Sequence, residues 1–171
     1  MLQRRVFLGS LALAAGQQEV PDQPLRELAP PAGEFVLTVK GRIAVTNGDG
    51  VARLDLDQLR ALGTTELRTA TPWTEGVGTF AGVAGERLLA ALGATGTLLR
   101  AKALNDYEVD IPVADFRDYP VLLALDLAGR PLSVRERGPI WVIYPWTAYP
   151  RLDDRVHRQR AIWQLSELVV A

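Results

Sequence analysis

The sequence predicts an α+β domain with a mixed β-sheet and short helices. Three observations predict it. Short apolar or β-branched runs recur at close spacing along the chain, turn residues (Gly, Pro, Asn, Asp) separate them, and only two or three stretches carry helical periodicity. Residues 34–171 are read as one domain, a length that comfortably supports a single core.

Residues 35–43 alternate apolar and polar positions with β-branched residues and predict the first strand. Asn47-Gly48 and Asp49-Gly50 mark a turn, and residues 51–54 return from it. Asp55 followed by Gln58 is a capping box that opens a short helix, closed by Gly63, with Leu56, Leu59 and Leu62 on one face. Residues 66–71 read as a strand, after which Pro72 and the glycines of residues 75–78 predict a loop. A second helix spans 85–92, buries Leu88, Leu89 and Leu92, and ends at Gly93. Residues 97–104 and 107–111 form a hairpin through Asn105-Asp106. Pro112 at a first helical position, with Asp115, predicts one helical turn. Residues 121–127 are apolar enough for a central strand, 128–131 turn, and 140–144 and 162–170 close the series as strands.

Residues 1–16 are read as an export signal: Arg4-Arg5 precedes a short apolar run with small residues at its end. That run falls short of the roughly 20 residues a spanning helix needs, so the mature protein is expected not to span a membrane. The paired arginines before Phe7-Leu8 resemble a twin-arginine signal, with a general secretory signal as the other reading; either gives a periplasmic or otherwise exported protein. Residues 17–33, with Pro21, Pro24, Pro30 and Pro31, predict an extended, flexible linker. A net charge of −1 excludes an ordinary nucleic-acid binder. With no cysteine, an exported chain must hold itself together by packing alone.

Thr69-Ala-Thr-Pro-Trp73, Thr79-Phe-Ala-Gly-Val83, Asn105-Asp-Tyr107, Arg137-Gly-Pro-Ile-Trp141 and Ile162-Trp-Gln-Leu165 occur in an informative order. Together they resemble the oxidoreductase molybdopterin-binding domain family, the fold of the sulfite oxidase catalytic domain, in a short stand-alone bacterial form. The resemblance covers roughly residue 35 to the C-terminus and implies that sulfite-oxidase-type fold. It also implies a metal-ligating cysteine on the 69–73 segment, ahead of a Phe80-x-Gly82-Val83 turn. Thr69, Ala70 and Thr71 stand there instead, and a hydroxyl is a poor substitute for the thiolate a soft centre prefers. Near the C-terminus, Ile162 occupies a position where cofactor-binding members carry a basic residue.

Two functions follow as expectations. The first is an exported binding domain that keeps the fold without a molybdenum centre and takes a small anionic ligand, or a periplasmic or membrane sensor or redox protein, in the old cleft. The second is a molybdopterin-dependent oxidoreductase with a cysteine-free centre. No catalytic or metal-ligating residue is assigned, and no cofactor is expected under the first reading. The cleft is expected to draw on Thr71, Trp73, Asn105, Asp106, Tyr107, Arg137, Tyr144, Trp146, Tyr149, His157 and Arg158. Residues 130–160 carry seven arginines against Glu136, Asp153 and Asp154, and arginine forks match carboxylate and phosphate oxygens. The 144–149 aromatics are expected in a loop with some facing solvent, whereas Trp141 and Trp163 are expected buried on strands. His157, the single histidine, cannot build a metal site alone.

Overall fold

A computed structural model describes residues 24–171. The expected signal at 1–16, and the first part of the expected linker, lie outside the described residues. Residues 24–33 are fastened to the domain rather than free. Leu28 is buried, the Leu25 amide donates to the Ala91 carbonyl at 2.9 Å, and the Ala32 and Gly33 amides donate to Asp55 Oδ2. Prolines signalled a linker, but the buried Leu28, invisible to composition, ties it down.

Ten strands and four short α-helices build the described chain: β1 (Leu37–Gly41), β2 (Ala52–Leu54), α1 (Leu56–Ala61), β3 (Thr65–Ala70), β4 (Val77–Ala84), α2 (Gly85–Ala91), β5 (Leu98–Ala103), β6 (Glu108–Pro112), α3 (Val113–Asp118), β7 (Leu122–Leu127), β8 (Arg130–Pro131), β9 (Trp141–Ile143), α4 (Arg155–Arg160) and β10 (Leu165–Val170). They divide into two five-stranded sheets where one mixed sheet was expected. The first has the order β2-β1-β10-β5-β6 and is mixed, because β1 runs parallel to β10 while its other pairings are antiparallel. The second is antiparallel, β3-β4-β7-β8, with β9 also on β7. Apolar residues of both sheets form one core, from Leu37 and Leu168 in the first to Phe80, Leu123 and Trp141 in the second.

The capping box is present: Asp55 accepts from the Gln58 amide at 2.8 Å, and Gln58 Oε1 accepts from the Asp55 amide. Asp55 thus caps α1 with one carboxylate oxygen and pins residues 32–33 with the other. Those amide donors, the Gln58 amide first, hold its carboxyl below the usual aspartate range. Leu59 is buried and Leu56 and Leu62 pack against the core, as the spacing required. Gly93, at φ +59°, follows α2 as its left-handed terminator. Pro112 caps α3 rather than starting it.

Two regions depart from the pattern. The expected Phe80-x-Gly82-Val83 turn is the middle of β4, the longest strand, which also takes in part of the expected 75–78 loop. Gly82 sits at a bulge against β7, where a Cβ would run into the Leu123 carbonyl. The glycine therefore marks close strand approach, not a reversal. Residues 155–160, read only as an arginine-rich stretch, form α4, with Asp154 capping the His157 amide at 2.9 Å. Among the described residues no helix is long and apolar enough to cross a membrane.

Candidate functional site

All four tryptophans of the chain meet in one cluster with Trp73 at its hub. Its ring centroid lies 5.9 Å from Trp141, 5.9 Å from Trp146 and 5.5 Å from Trp163, each contact edge-to-face. Phe80 adds a perpendicular ring on Trp141 from β4. Such T-shaped contacts favour the quadrupoles of both rings and hold the half-buried Trp73 firmly at the end of β3.

Beside this cluster opens a cleft of about 210 Å³. Trp73 forms one wall. The β5–β6 hairpin supplies Ala103, Asn105 and Tyr107, α4 supplies Arg158 and Gln159, and the segment leading to β10 supplies Ala161, Ile162, Trp163 and Gln164. A shallower depression over Asp153, Asp154 and Arg155 continues from it past Trp73 and Arg158. Of the expected site residues, the fold brings Trp73, Asn105, Tyr107 and Arg158 together here.

The others stand elsewhere. Thr71 is buried and lines a separate pocket with Pro72, Trp146 and Thr147. Asp106, at the hairpin tip with φ +65°, is bound to Lys102 Nζ at 2.8 Å, and that contact lowers its pKa while raising that of the lysine. Tyr144 and Trp146 are core residues on the short β9 and its continuation, which leaves Tyr149, partly buried, as the one ring of the 144–149 segment that reaches solvent. Tyr149 stacks edge-on against Tyr119, with Arg151 over both rings. His157 turns from the cleft toward Asp154 (Nδ1 to Oδ2, 2.9 Å) and Tyr144. Tyr107 leans outward, its amide held by Asn105 Oδ1 at 3.2 Å and its hydroxyl donating to the Gln159 carbonyl at 3.2 Å.

Trp163 is the main surprise. Expected buried on a strand, it precedes β10 and is 39 % exposed. The adjacent Gln164, at φ +51°, breaks the extended run and turns the indole out. Ala103, Gln159, Ala161 and Gln164 were also unforeseen as lining. Only Gln164 among them had a legible signal, its place in the Ile162-Trp-Gln-Leu165 motif.

Arg137, at φ +74°, lies just behind the Trp163 wall. Its guanidinium carbon sits 4.7 Å from the Trp163 ring centroid and 5.2 Å from that of Trp141, and its carbonyl accepts from the Gln164 amide at 2.9 Å. Among the described residues its side chain has no acidic or hydrogen-bonding partner, and its Nε is buried without one. Glu136, next in sequence, is occupied by Ser133, whose hydroxyl and amide lower its pKa. Arg158 differs, since Asp153 binds it at 2.8 Å. Arg160 reaches inward to Asp115 at 3.0 Å, and the same carboxylate oxygen accepts from the Tyr144 hydroxyl at 2.7 Å. Burial first, and then that carboxylate, push the Tyr144 phenol far above its ordinary pKa, so it serves as a neutral donor.

The 69–71 hydroxyls are fully employed. Thr69 is buried, donates to the Ala70 carbonyl at 2.9 Å, and accepts from the Thr147 amide at 3.0 Å; Thr71 bonds Thr74 at 2.8 Å and receives the Trp73 amide. Thr69 clasps the end of β3 to the 145–149 segment, and Thr71 closes the 71–74 turn. Hard hydroxyls so engaged do not fit a molybdenum centre that prefers thiolate.

The described chain is thus a two-sheet α+β domain with an aromatic-walled cleft between a hairpin tip and α4. No family model matches the chain, and no curated protein matches it.

Proposed function

We propose that this chain is an exported binding domain of the sulfite-oxidase-type molybdopterin-binding fold, without a functional molybdenum centre, whose cleft takes a small organic anion. The resemblance of the five ordered motifs supports the fold, and Arg4-Arg5 ahead of an apolar run supports export. One observation carries the ligand reading: Arg137, held against the Trp163 wall, brings a positive charge that no acid balances among the described residues. Arg158 adds unspent guanidinium N–H donors on the opposite side of its pair with Asp153. An anion in the cleft takes its charge-assisted hydrogen bonds from Arg158, with the charge of Arg137 acting on it across the Trp163 ring.

Thermal unfolding with small carboxylates and phosphate tests this. A ligand at about a hundred times its Kd stabilises by about 2.7 kcal/mol, which raises Tm by roughly 5–10 °C for a domain of this size. Arg158→Ala is expected to abolish the rise and Arg137→Ala to reduce it. An unchanged Tm with every anion in the wild type rejects the reading. The second reading, a molybdopterin-dependent oxidoreductase, is favoured by a twin-arginine-like start, because that route carries folded cofactor proteins. Molybdenum and pterin near one per chain after native export would establish it.

A further inference from the structure

We propose that the anion is a monocyclic aromatic carboxylate, an assignment that rests on the anion-binding reading of the same cleft. Size sets the first bound. A cavity of roughly 150 Å³ holds a benzene, while pockets for drug-sized ligands begin near about 300 Å³; at about 210 Å³ this cleft suits one ring with one or two substituents.

The walls set the second. Trp73 and Trp163 both line the cleft and stand at 90° with centroids 5.5 Å apart. A flat ring placed there gains offset-stacked and edge-to-face contacts beyond its buried area, which a saturated ring of equal size does not. Polar atoms set the third. Asn105 spends its Oδ1 on the Tyr107 amide, and Gln164 spends its Nε2 on the Val134 carbonyl at 2.9 Å. That leaves an amide donor on Asn105 for the carboxylate and an amide acceptor on Gln164 for a ring hydroxyl or amine, neither partnered among the described residues.

The backbone indicates that this arrangement is held in advance. Gln164 and Arg137 are both left-handed and are joined by the Gln164 amide to the Arg137 carbonyl, and Asp106 is left-handed at the hairpin tip. Non-glycine residues persist in that region when their surroundings over-determine them, and such sites cluster at ligand clamps.

Calorimetric titration of the full chain, followed also by tryptophan fluorescence, compares benzoate and 4-hydroxybenzoate with cyclohexanecarboxylate, hexanoate and inorganic phosphate. The aromatic acids are expected to bind at least about tenfold tighter than cyclohexanecarboxylate, as one or two added π contacts imply. Trp163→Leu should erase that preference and Trp163→Phe should retain it, while Arg137→Gln should weaken all carboxylates alike. Cyclohexanecarboxylate binding as tightly as benzoate, with Arg137→Gln still weakening both, overturns the aromatic assignment and leaves the anion site standing. Absence of binding by every carboxylate and by phosphate overturns the anion site itself.

Discussion

Two tryptophans show how position within a motif divides a buried ring from a partly exposed one. Trp141 is fully buried on β9, meets Phe80, Trp73 and Trp163, and donates its indole N–H to the Ala161 carbonyl at 3.3 Å. Trp163 shares the cluster but exposes more than a third of itself and carries Arg137 on its face. Trp141→Ala is expected to cost about 3–5 kcal/mol, as large core truncations do. Trp163→Ala should cost only about 1 kcal/mol, the scale of an exposed cation–π contact with partial burial. Chemical denaturation of both variants checks this, and equal losses would place Trp163 in the core after all. Apolar flanks alone suggested that both rings were buried. The difference lies in the left-handed Gln164, a conformation that no side-chain pattern announces.

At the scale of elements, legibility followed locality. α1 was readable because Asp55 and Gln58 satisfy each other's backbone within one turn, and α2 because its leucines repeat at helical spacing before Gly93. β4 was half missed, since Gly78 and Gly82 look like loop residues until β7 is laid against them. α4 was missed because its six residues bury none of their side chains fully; its stability comes from its cap and its partners outside it. Asp154 accepts the His157 amide, Arg158 pairs with Asp153, and Arg160 reaches Asp115. The His157 amide, more than any other group, holds the Asp154 carboxyl below its usual range. The native state therefore keeps Asp154 ionised to lower pH than the unfolded chain does. The cap's contribution is intact at neutral pH, begins to fall as pH drops through the ordinary aspartate range, and is lost below the lowered native value. Asp154→Ala should destabilise by about 1 kcal/mol at pH 7, as N-cap removals do, and narrow its deficit toward pH 3. A deficit that stays constant from pH 7 to pH 3 contradicts the capping role. Because α4 supplies Arg158 and Gln159 to the cleft, benzoate affinity should weaken in the same variant.

For the whole molecule, the α+β class was legible from short strands and few helices, but the split into two sheets was not. Pairing of β1 with β10 joins Thr38 to Glu167 across almost the entire described chain, and nothing local encodes such a partner. The cleft was legible in part for the same reason. Trp73, Asn105, Tyr107 and Arg158 lie in motifs or charge clusters that stand out, whereas Gln159, Ala161 and Gln164 become neighbours only when the hairpin tip, α4 and the approach to β10 converge. What that convergence makes is a domain whose core is continuous from Leu37 to Trp141 and whose β3 end is clasped by Thr69 to Thr147. Under the proposed reading no bound group completes that core. A fold organised around a cofactor behaves differently, because a ligand bound only by the native state stabilises it by mass action and its loss lowers Tm. The protein is therefore expected to melt at one temperature whether the expression host makes molybdopterin or cannot, and whether or not molybdate is supplied. Replacing Thr71 by Cys should lower that temperature by the same few degrees in both hosts, since the lost hydroxyl bonds cost the same in each and a lone thiol gains nothing without a cofactor to ligate. A Tm that falls sharply in the cofactor-deficient host would show that pterin, held without a protein thiolate, is part of the native state.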